Sequence, residues 1–438
     1  MLVHQAPPVG YQLAARVIAE IISIGDELAS GQRLDTNSQW LSQRLGEIGI
    51  PVVYHTTVAD DLEANVDVFR QAARRADLVI STGGLGPTAD DLTREALARV
   101  SGCPLVLDPE SLAHIRGLFA RRRREMPERN VVQAMFPAGG RVLPNPHGTA
   151  PGIDLTLDPP LGRPSRIVAL PGVPAEMHEM WSATLAPMLA ELSGGGRVIR
   201  HRRVKCFGVG ESDLEKMLPD LIRRGRTPSV GITVSDATIT LRITACGAND
   251  EECQALMGPT LATIEECLGS LVYGFEDDEL EHAVTDLLKR QNLTLATAEA
   301  GTAGLVADWL GDVPEPGGRF LGGLVLPTRA ALVQAGGVSE ELIERHGPAS
   351  AEVARAMAAA CRERLHSDYA LATSDFPAFD PRAAEPNRLF VALAAKDAVT
   401  VKSFVFAGHP EILKRRAAKQ ALNALRLLLL SDSTTPNR

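Results

Sequence analysis

From residue 17 to about residue 192, short apolar runs rich in β-branched residues alternate with amphipathic stretches at helical spacing. The runs predict strands over 19–24, 52–57, 78–81 and 167–170, and the stretches between them predict helices over 37–48, 62–75, 92–100 and 175–192. Such alternation marks βαβ units, so the fold class read from the pattern is α/β with a mostly parallel sheet. The tract Ser193, Gly194, Gly195, Gly196 breaks the pattern and reads as a linker. Past it the order becomes strand (198–207), helix (212–224), two strands (229–234 and 238–245) and helix (250–268), a small α+β unit with a modest core. Acidic residues at 276–279 open a second α/β region, with helices over 280–291, 350–365 and 411–430 and strands over 293–298, 321–327, 369–373, 389–394 and 399–406. The expected domains are 17–193, 197–275 and 276–430, flanked by a flexible extension at 1–16 and an unstructured tail at 431–438.

At 438 residues the chain exceeds what one hydrophobic core usually supports, which agrees with several domains. Its hydrophobic content of 45% is that of a soluble protein, and no stretch approaches the roughly 20 uninterrupted apolar residues of a bilayer span, so no membrane association is expected. A formal charge of -9 argues against nucleic acid as a partner. The four arginines at 121–124 read as the solvated end of the helix that begins near Glu110. Six cysteines without CxxC pairing and ten histidines without an HExxH or CxxH cluster indicate neither a zinc site nor a disulfide framework. The amino end lacks the basic start and long apolar centre of a secretory signal, so the expected location is the cytoplasm.

The most informative stretch is 81–91, which follows the third strand and precedes a helix. It is therefore a loop at the carboxyl end of a parallel strand, where open α/β sheets place their ligands. Gly83, Gly84 and Gly86 let the backbone approach an anion and aim N–H groups at it, with Thr88 alongside. Asp90 and Asp91 put two carboxylates where a bare phosphate would be repelled, and a divalent metal bridging carboxylate and phosphate oxygens resolves the conflict. Two more acidic pairs follow strands, Asp26 with Glu27 and Asp60 with Asp61. Each pair alone is as well explained by helix N-capping. Their convergence by topology selects Asp26 and Asp91 as site residues and leaves Glu27, Asp60 and Asp61 open between the two readings. In the turn-rich segment 145–152, Asn145, Gly148 and Thr149 suit a phosphate or a base edge, whereas His147 reads as a satisfied loop histidine. The segment 171–174 leads through Gly172 into a helix whose first turn would cradle an anion, although Glu176 sits poorly beside an unscreened phosphate.

Together Ile24 to Glu27, Gly31 with Thr36 and Asn37, Thr82 to Glu95, Asn130 with Gln133 and Ala134, Asn145 to Gly152 and Leu170 to Met177 resemble the CinA (competence/damage-inducible protein A) family. The first domain is similar to that of the molybdenum-cofactor proteins MoaB and MogA, and Lys205 to Ser212 resemble the family's KH-like middle domain. The resemblance runs from Ala19 to Phe406. It implies a cytoplasmic homodimer and a metal-dependent pyrophosphatase acting on ADP-ribose or a related dinucleotide, with Mg, Mn or Co as the divalent cation. Carried over by position, Asp26, Asp60 and Asp91 would serve the metal or activate water, Asp90 would join Asp26 and Asp91 as metal ligands, and Gly83, Gly84 and Thr149 would hold phosphate. One departure is Val132, where the family has a lysine. The alternative is a non-catalytic protein that holds a nucleotide or molybdopterin, because one fold serves several functions. A scaffolding role in genetic competence rests on the family's name more than on its residues.

The third domain resembles nicotinamide-nucleotide amidohydrolases, which carry an Ala-Glu-Ser-Cys-Thr-Gly-Gly loop after the first strand. Here the loop is Ala298, Glu299, Ala300, Gly301, Thr302, Ala303, Gly304, so the position of the attacking serine holds a methyl group. The family's Tyr-Ser pair is Pro327 and Thr328, its lysine is Leu332, and its glycine-rich loop is replaced at 373–380. The pocket is read as degenerate and its nicotinamide mononucleotide deamidase activity as lost, since the hydroxyls of Thr302 and Thr328 would need correct placement and an adjacent base.

Overall fold

A computed structural model describes residues 17–157, 164–192, 197–218, 220–223, 225–314, 318–378, 387–407 and 409–434. The extension at 1–16 and the glycine tract at 193–196 lie outside them. Packing divides the chain into two compact units, 1–200 with 244–257, and 201–243 with 258–438.

The first unit opens with β1 (Ala19–Ile24), the single-turn α1 (Asp26–Ala29), α2 (Thr36–Glu47), β2 (Val52–Val58), α3 (Leu62–Arg75) and β3 (Leu78–Thr82). It continues with α4 (Thr93–Ser101), β4 (Leu105–Leu107), α5 (Pro109–Arg121), a 3-10 segment (Glu128–Ala134), β5 (Met135–Pro137), β6 (Arg141–Leu143), β7 (Gly152–Leu157) and β8 (Ser165–Leu170). It closes with α6 (Pro174–Met180) and α7 (Ala186–Leu192), joined by a π-type turn (Trp181–Leu185). The main sheet has the order β2-β1-β3-β8-β7-β6. β1 pairs in parallel with both β2 and β3, and β3 with β8, whereas β7 runs antiparallel to β8 and β6 to β7. Alternation along β1 sends Ile22 into one core with Phe69, Ala72 and Ile153, and Ile21 into the other with Leu41, Leu45 and Trp181. Helices thus cover both faces, and the central parallel strands β1 and β3 are buried throughout, whereas β2 at the sheet edge is partly exposed. The short strands β4 to β7 were not expected from the sequence; the first two have only three residues each, too few to show a period. The arginines at 121–124 are exposed at the end of α5, as read.

The middle module comprises β9 (Val198–Cys206), α8 (Glu211–Met217), β10 (Ser229–Ser235), β11 (Thr238–Gly247), α9 (Asp250–Leu268) and β12 (Val272–Phe275), with sheet order β10-β11-β9-β12. The helix expected over 212–224 ends at Met217. Leu218 is extended (φ -103°, ψ 108°), as a residue preceding a proline tends to be.

The last module holds α10 (Leu280–Gln291), β13 (Leu295–Glu299), α11 (Leu305–Asp312), β14 (Phe320–Val325), α12 (Arg329–Gln334), α13 (Glu340–His346), α14 (Ala351–Leu365), β15 (Tyr369–Thr373), β16 (Arg388–Ala394), β17 (Val399–Val405) and α15 (Pro410–Thr434). Its sheet has the order β14-β13-β15-β16-β17, parallel around β13 and antiparallel beyond β15. Helix α15 runs on to Thr434, so residues 431–434 are helical rather than part of an unstructured tail. Among the described residues no helix is long and apolar enough to cross a membrane.

A charged network ties this second unit together. Glu279 accepts from Lys205 Nζ (3.1 Å), Lys419 Nζ (3.4 Å) and the Tyr273 hydroxyl (3.3 Å), while Lys419 also donates to Thr238 (2.7 Å). Burial pushes the Glu279 carboxyl upward, yet Lys419 and Lys205 outweigh it and hold the group below its ordinary value of 4.5. Its stabilising contribution is therefore complete above pH 4.5 and disappears as pH falls through the lowered folded value. Glu279→Gln leaves two largely buried lysines without a counter-charge, and should lose about 2 kcal/mol, less than a fully buried pair would, together with this acid dependence. Thermal unfolding of both proteins across acidic pH measures both effects.

Candidate active site

The parallel ladder ends by handing its register to the loops: Gly25 N–H donates to Val58 O (3.0 Å) and Gly83 N–H to Leu170 O (3.1 Å). The carboxyl ends of β1, β2, β3 and β8 therefore open into one cleft of about 580 Å³. Of the residues selected from sequence, Asp60, Gly83, Gly84, Gly86, Asp90, Asp91, Thr149 and Gly172 line it; Asp26, Thr88, Asn145 and Gly148 do not.

The glycine loop is held from below. Gly83 (φ +108°) and Gly84 (φ +64°) occupy the left-handed region, and a Cβ on either would strike the Ile24 carbonyl or the Thr93 hydroxyl. Thr93 donates to Gly83 O (2.9 Å), and Arg94 and Gln133 converge on Leu85 O (2.8 and 3.4 Å). With these carbonyls engaged, the N–H groups of Gly84 and Leu85 have no acceptor among the described residues. They are the donors available to an anion.

The acidic residues divide by partner. Asp26 and Asp60 are reciprocally bonded, each carboxylate accepting the other's backbone N–H at 3.0 Å, which fixes the β1 and β2 loops to each other. The Asp60 carboxyl lies above its ordinary value, first because it is partly buried and further because Asp26, Asp90 and Glu27 surround it; the Asp26 N–H acts the other way. Asp61, by contrast, is a helix cap, accepting from Ala64 N–H (2.8 Å) at the start of α3. Asp91 closes its own loop, accepting from Gly86 N–H (2.7 Å), Thr88 N–H (2.8 Å) and the Thr88 hydroxyl. Thr88 thus serves Asp91 instead of facing the cleft. Among the described residues no group of three or more His, Cys, Asp or Glu is gathered tightly enough to enclose an ion by itself, so Asp26, Asp90 and Asp91 do not form a ready-made cage.

Asn145 and Gly148 build the cleft wall without joining its surface. Asn145 donates to Ala150 O (3.0 Å) and to Glu176 (2.7 Å) and accepts from Gly148 N–H (2.9 Å), which presents Thr149 and turns Glu176 in the first turn of α6 toward its amide. His147 is exposed beside Glu179 (3.3 Å). Several lining residues escaped selection from sequence. Arg33 is the only cationic side chain on the described lining. Asp35 caps α2 through Ser38 N–H (2.9 Å) and accepts from the Ser23 hydroxyl; burial opposes its charge, but these bonds keep its carboxyl low. Asn37 spans the strand ends, donating to Thr82 (3.1 Å) and to Gly172 O (2.9 Å).

In the C-terminal domain Ala300 is buried after β13. Glu299, also buried, accepts from Thr302 (2.6 Å) and from the N–H groups of Val306 (3.0 Å) and Ala307 (2.8 Å), which anchors α11. Thr302 has 0% exposure and lies 2.7 Å from the Thr373 hydroxyl. Thr328 caps α12 through Ala331 N–H (3.2 Å). The Phe376 ring packs over Gly301, where any Cβ would collide with it.

Profiles of known families match the chain in three segments: a "Probable molybdopterin binding domain" over residues 20–191, the "Damage-inducible protein CinA KH domain" over 201–274 and the "CinA C-terminal domain" over 277–429. A competence-damage inducible protein of Bacillus subtilis (strain 168) is 36% identical over 413 residues, covering 94% of this chain and 98% of its own. The chain belongs to the CinA family. A second relative, the CinA-like protein of Dictyoglomus thermophilum, is 35% identical over 416 residues, 94% of this chain and 99% of its own. A competence-damage inducible protein of Symbiobacterium thermophilum is 42% identical over 360 residues, 82% and 83%. Among solved structures, a CinA protein with unknown function from Thermoplasma acidophilum is 33% identical over 39% of this chain and 98% of its own, with a TM-score of 0.36. The three-domain α/β architecture expected from the sequence, with a MoaB/MogA-like first domain, a KH-like second and a CinA-type third, is therefore that of this CinA-family chain.

Gly83→Ala forces a methyl against the Ile24 carbonyl in a backbone region unfavourable to side chains. It should destabilise the first domain by about 2 kcal/mol and weaken anion binding in the cleft. Gly46→Ala, on an open face of α2, is the control and should be neutral or stabilising by about 1 kcal/mol. Thermal unfolding and phosphate titration of the two variants make the comparison.

Proposed function

We propose that the N-terminal cleft hydrolyses the diphosphate of ADP-ribose or a related dinucleotide with a divalent cation, and that the C-terminal domain has no nicotinamide mononucleotide deamidase activity. The observation that carries the first part is the charge of the lining. Glu27, Asp35, Asp60, Asp90, Asp91 and Glu176 face one guanidinium, Arg33, around a loop whose free amides suit a phosphate. A diphosphate enters such a cleft only with added positive charge.

The cleft-lining carboxylates suit a hard divalent cation, which takes one or two protein carboxylates together with phosphate oxygens, and Asp60 and Asp90 are the groups that would hold it. When bound, the ion supplies charge neutralisation and polarises the phosphoryl group. The chain's own residues do the rest. Gly84 and Leu85 N–H groups and Arg33 bind phosphate oxygens, and Thr149, which also lines the cleft, orients the substrate. Asp60, which lines the cleft, accepts a proton as water oxygen bonds to phosphorus and the bridging P–O bond breaks, giving AMP and ribose 5-phosphate. A second reading, binding of a nucleotide or molybdopterin without turnover, is favoured by the engagement of Asp91 in its own loop and by the description of the matching first-domain profile. In the third domain Ala300 carries no nucleophile, Thr302 is enclosed, Thr328 caps a helix and Phe376 covers Gly301.

The wild-type chain should release AMP from ADP-ribose with Mg²⁺, Mn²⁺ or Co²⁺ and stop when a chelator is added. Asp60→Asn should lower kcat by about a hundredfold or more, and Arg33→Ala should raise KM by about tenfold. Binding of ADP-ribose without AMP release selects the non-catalytic reading. Incubation of the full chain with nicotinamide mononucleotide should yield no ammonia; steady ammonia release overturns the second part.

A further inference from the structure

Arg94 is the largest fully buried side chain of the first domain, only 2% exposed. It lies in the first turn of α4, directly after the glycine loop. Its Nη1 donates to Leu85 O (2.8 Å), while Nε and Nη2 are buried without a hydrogen-bond partner. Among the described residues no carboxylate comes within ion-pair distance; Asp91 acts on it only through space. A cation in that position is opposed twice, by the loss of water and by the positive end of the α4 dipole. Burial accordingly brings the guanidinium down to about 10, an effect that Asp91 offsets only in part. Apolar packing at this point would be served better by a neutral residue. What the charge does accomplish is to place positive potential beneath Gly84, Leu85 and Gly86, whose other side faces the cleft.

We propose that Arg94 is a positioning residue for phosphate: its unneutralised guanidinium orients the Leu85 carbonyl inward and raises the affinity of the loop amides for a phosphate group bound above them. The inference rests on the reading of this cleft as a phosphate site and concerns affinity rather than the hydrolytic step. It applies to any ligand that carries a phosphate monoester or diphosphate.

The test titrates the full chain with inorganic phosphate at fixed Mg²⁺. Arg94→Gln, which keeps a donor for Leu85 O and removes the charge, should weaken phosphate binding by about tenfold while leaving thermal stability unchanged or raised. Arg94→Lys, which keeps the charge, should bind within about threefold of wild type. Unchanged phosphate affinity in Arg94→Gln, or a lowered melting temperature with normal affinity in the folded protein, overturns the inference. Should Arg94→Gln fail to fold, Arg94→Lys decides, and a tenfold loss in that variant overturns it. ADP-ribose turnover separates this from the proposed reaction. If wild type does not turn over ADP-ribose but Arg94→Gln binds phosphate more weakly, the hydrolysis falls and the role of Arg94 stands. Turnover with the same KM in wild type and Arg94→Gln leaves hydrolysis in place and removes the role of Arg94.

Discussion

Mutual repulsion among carboxylates is the constraint around which the first domain is arranged. Asp60 registers it: its carboxyl is raised first by partial burial and further by Asp26, Asp90 and Glu27. The fold manages the repulsion with hydrogen bonds: Asp26 and Asp60 take each other's amides, Asp91 takes those of Gly86 and Thr88, and Glu176 takes the amide of Asn145. What remains is a lining with a negative excess that the surrounding hydrogen bonds hold in place.

That lining exists because four parallel strands stop at the same level. Their side chains alternate into two apolar layers, so a one-residue slip anywhere would exchange the layers and is strongly resisted. The loops beyond Ile24, Val58, Thr82 and Leu170 inherit this register through the backbone bonds of Gly25 and Gly83. Side chains from distant parts of the sequence then meet over short distances, as Asn37 does in joining Thr82 to Gly172. The second unit achieves cohesion differently, through the cluster of Lys205, Lys419, Tyr273 and Thr238 around Glu279.

The long, strongly periodic elements were legible in the sequence. Helices α3, α9 and α10 match their expected bounds, because their apolar stripes span three or more turns and end at clear breaks. The three-residue strands and the short helices α11, α12 and α13 carry too few residues for a period to emerge. At the cleft, glycines that permit close approach were recognisable as such, since Gly83 and Gly84 are defined by what a side chain would strike. The partner of each carboxylate was not. Asp60 and Asp61 are adjacent in sequence, yet one faces the cleft and the other caps α3, a distinction set by the phase at which β2 ends. Arg33 escapes selection because the segment after α1 looks like ordinary polar loop until the strand ends bring it beside the glycines, and Asn37 reads only as a motif residue at the start of a helix.

Glu299 has a longer consequence. Its carboxylate is bonded to Thr302 and to the amides that begin α11, so a side chain at the end of a central strand now fastens a helix to the sheet. With Phe376 seated over Gly301, a hydroxyl placed at position 300 would stand beside backbone roofed by an aromatic ring. Any substitution that releases Glu299 therefore also frees the amides at the start of α11, so the acid and the seating of that helix change together.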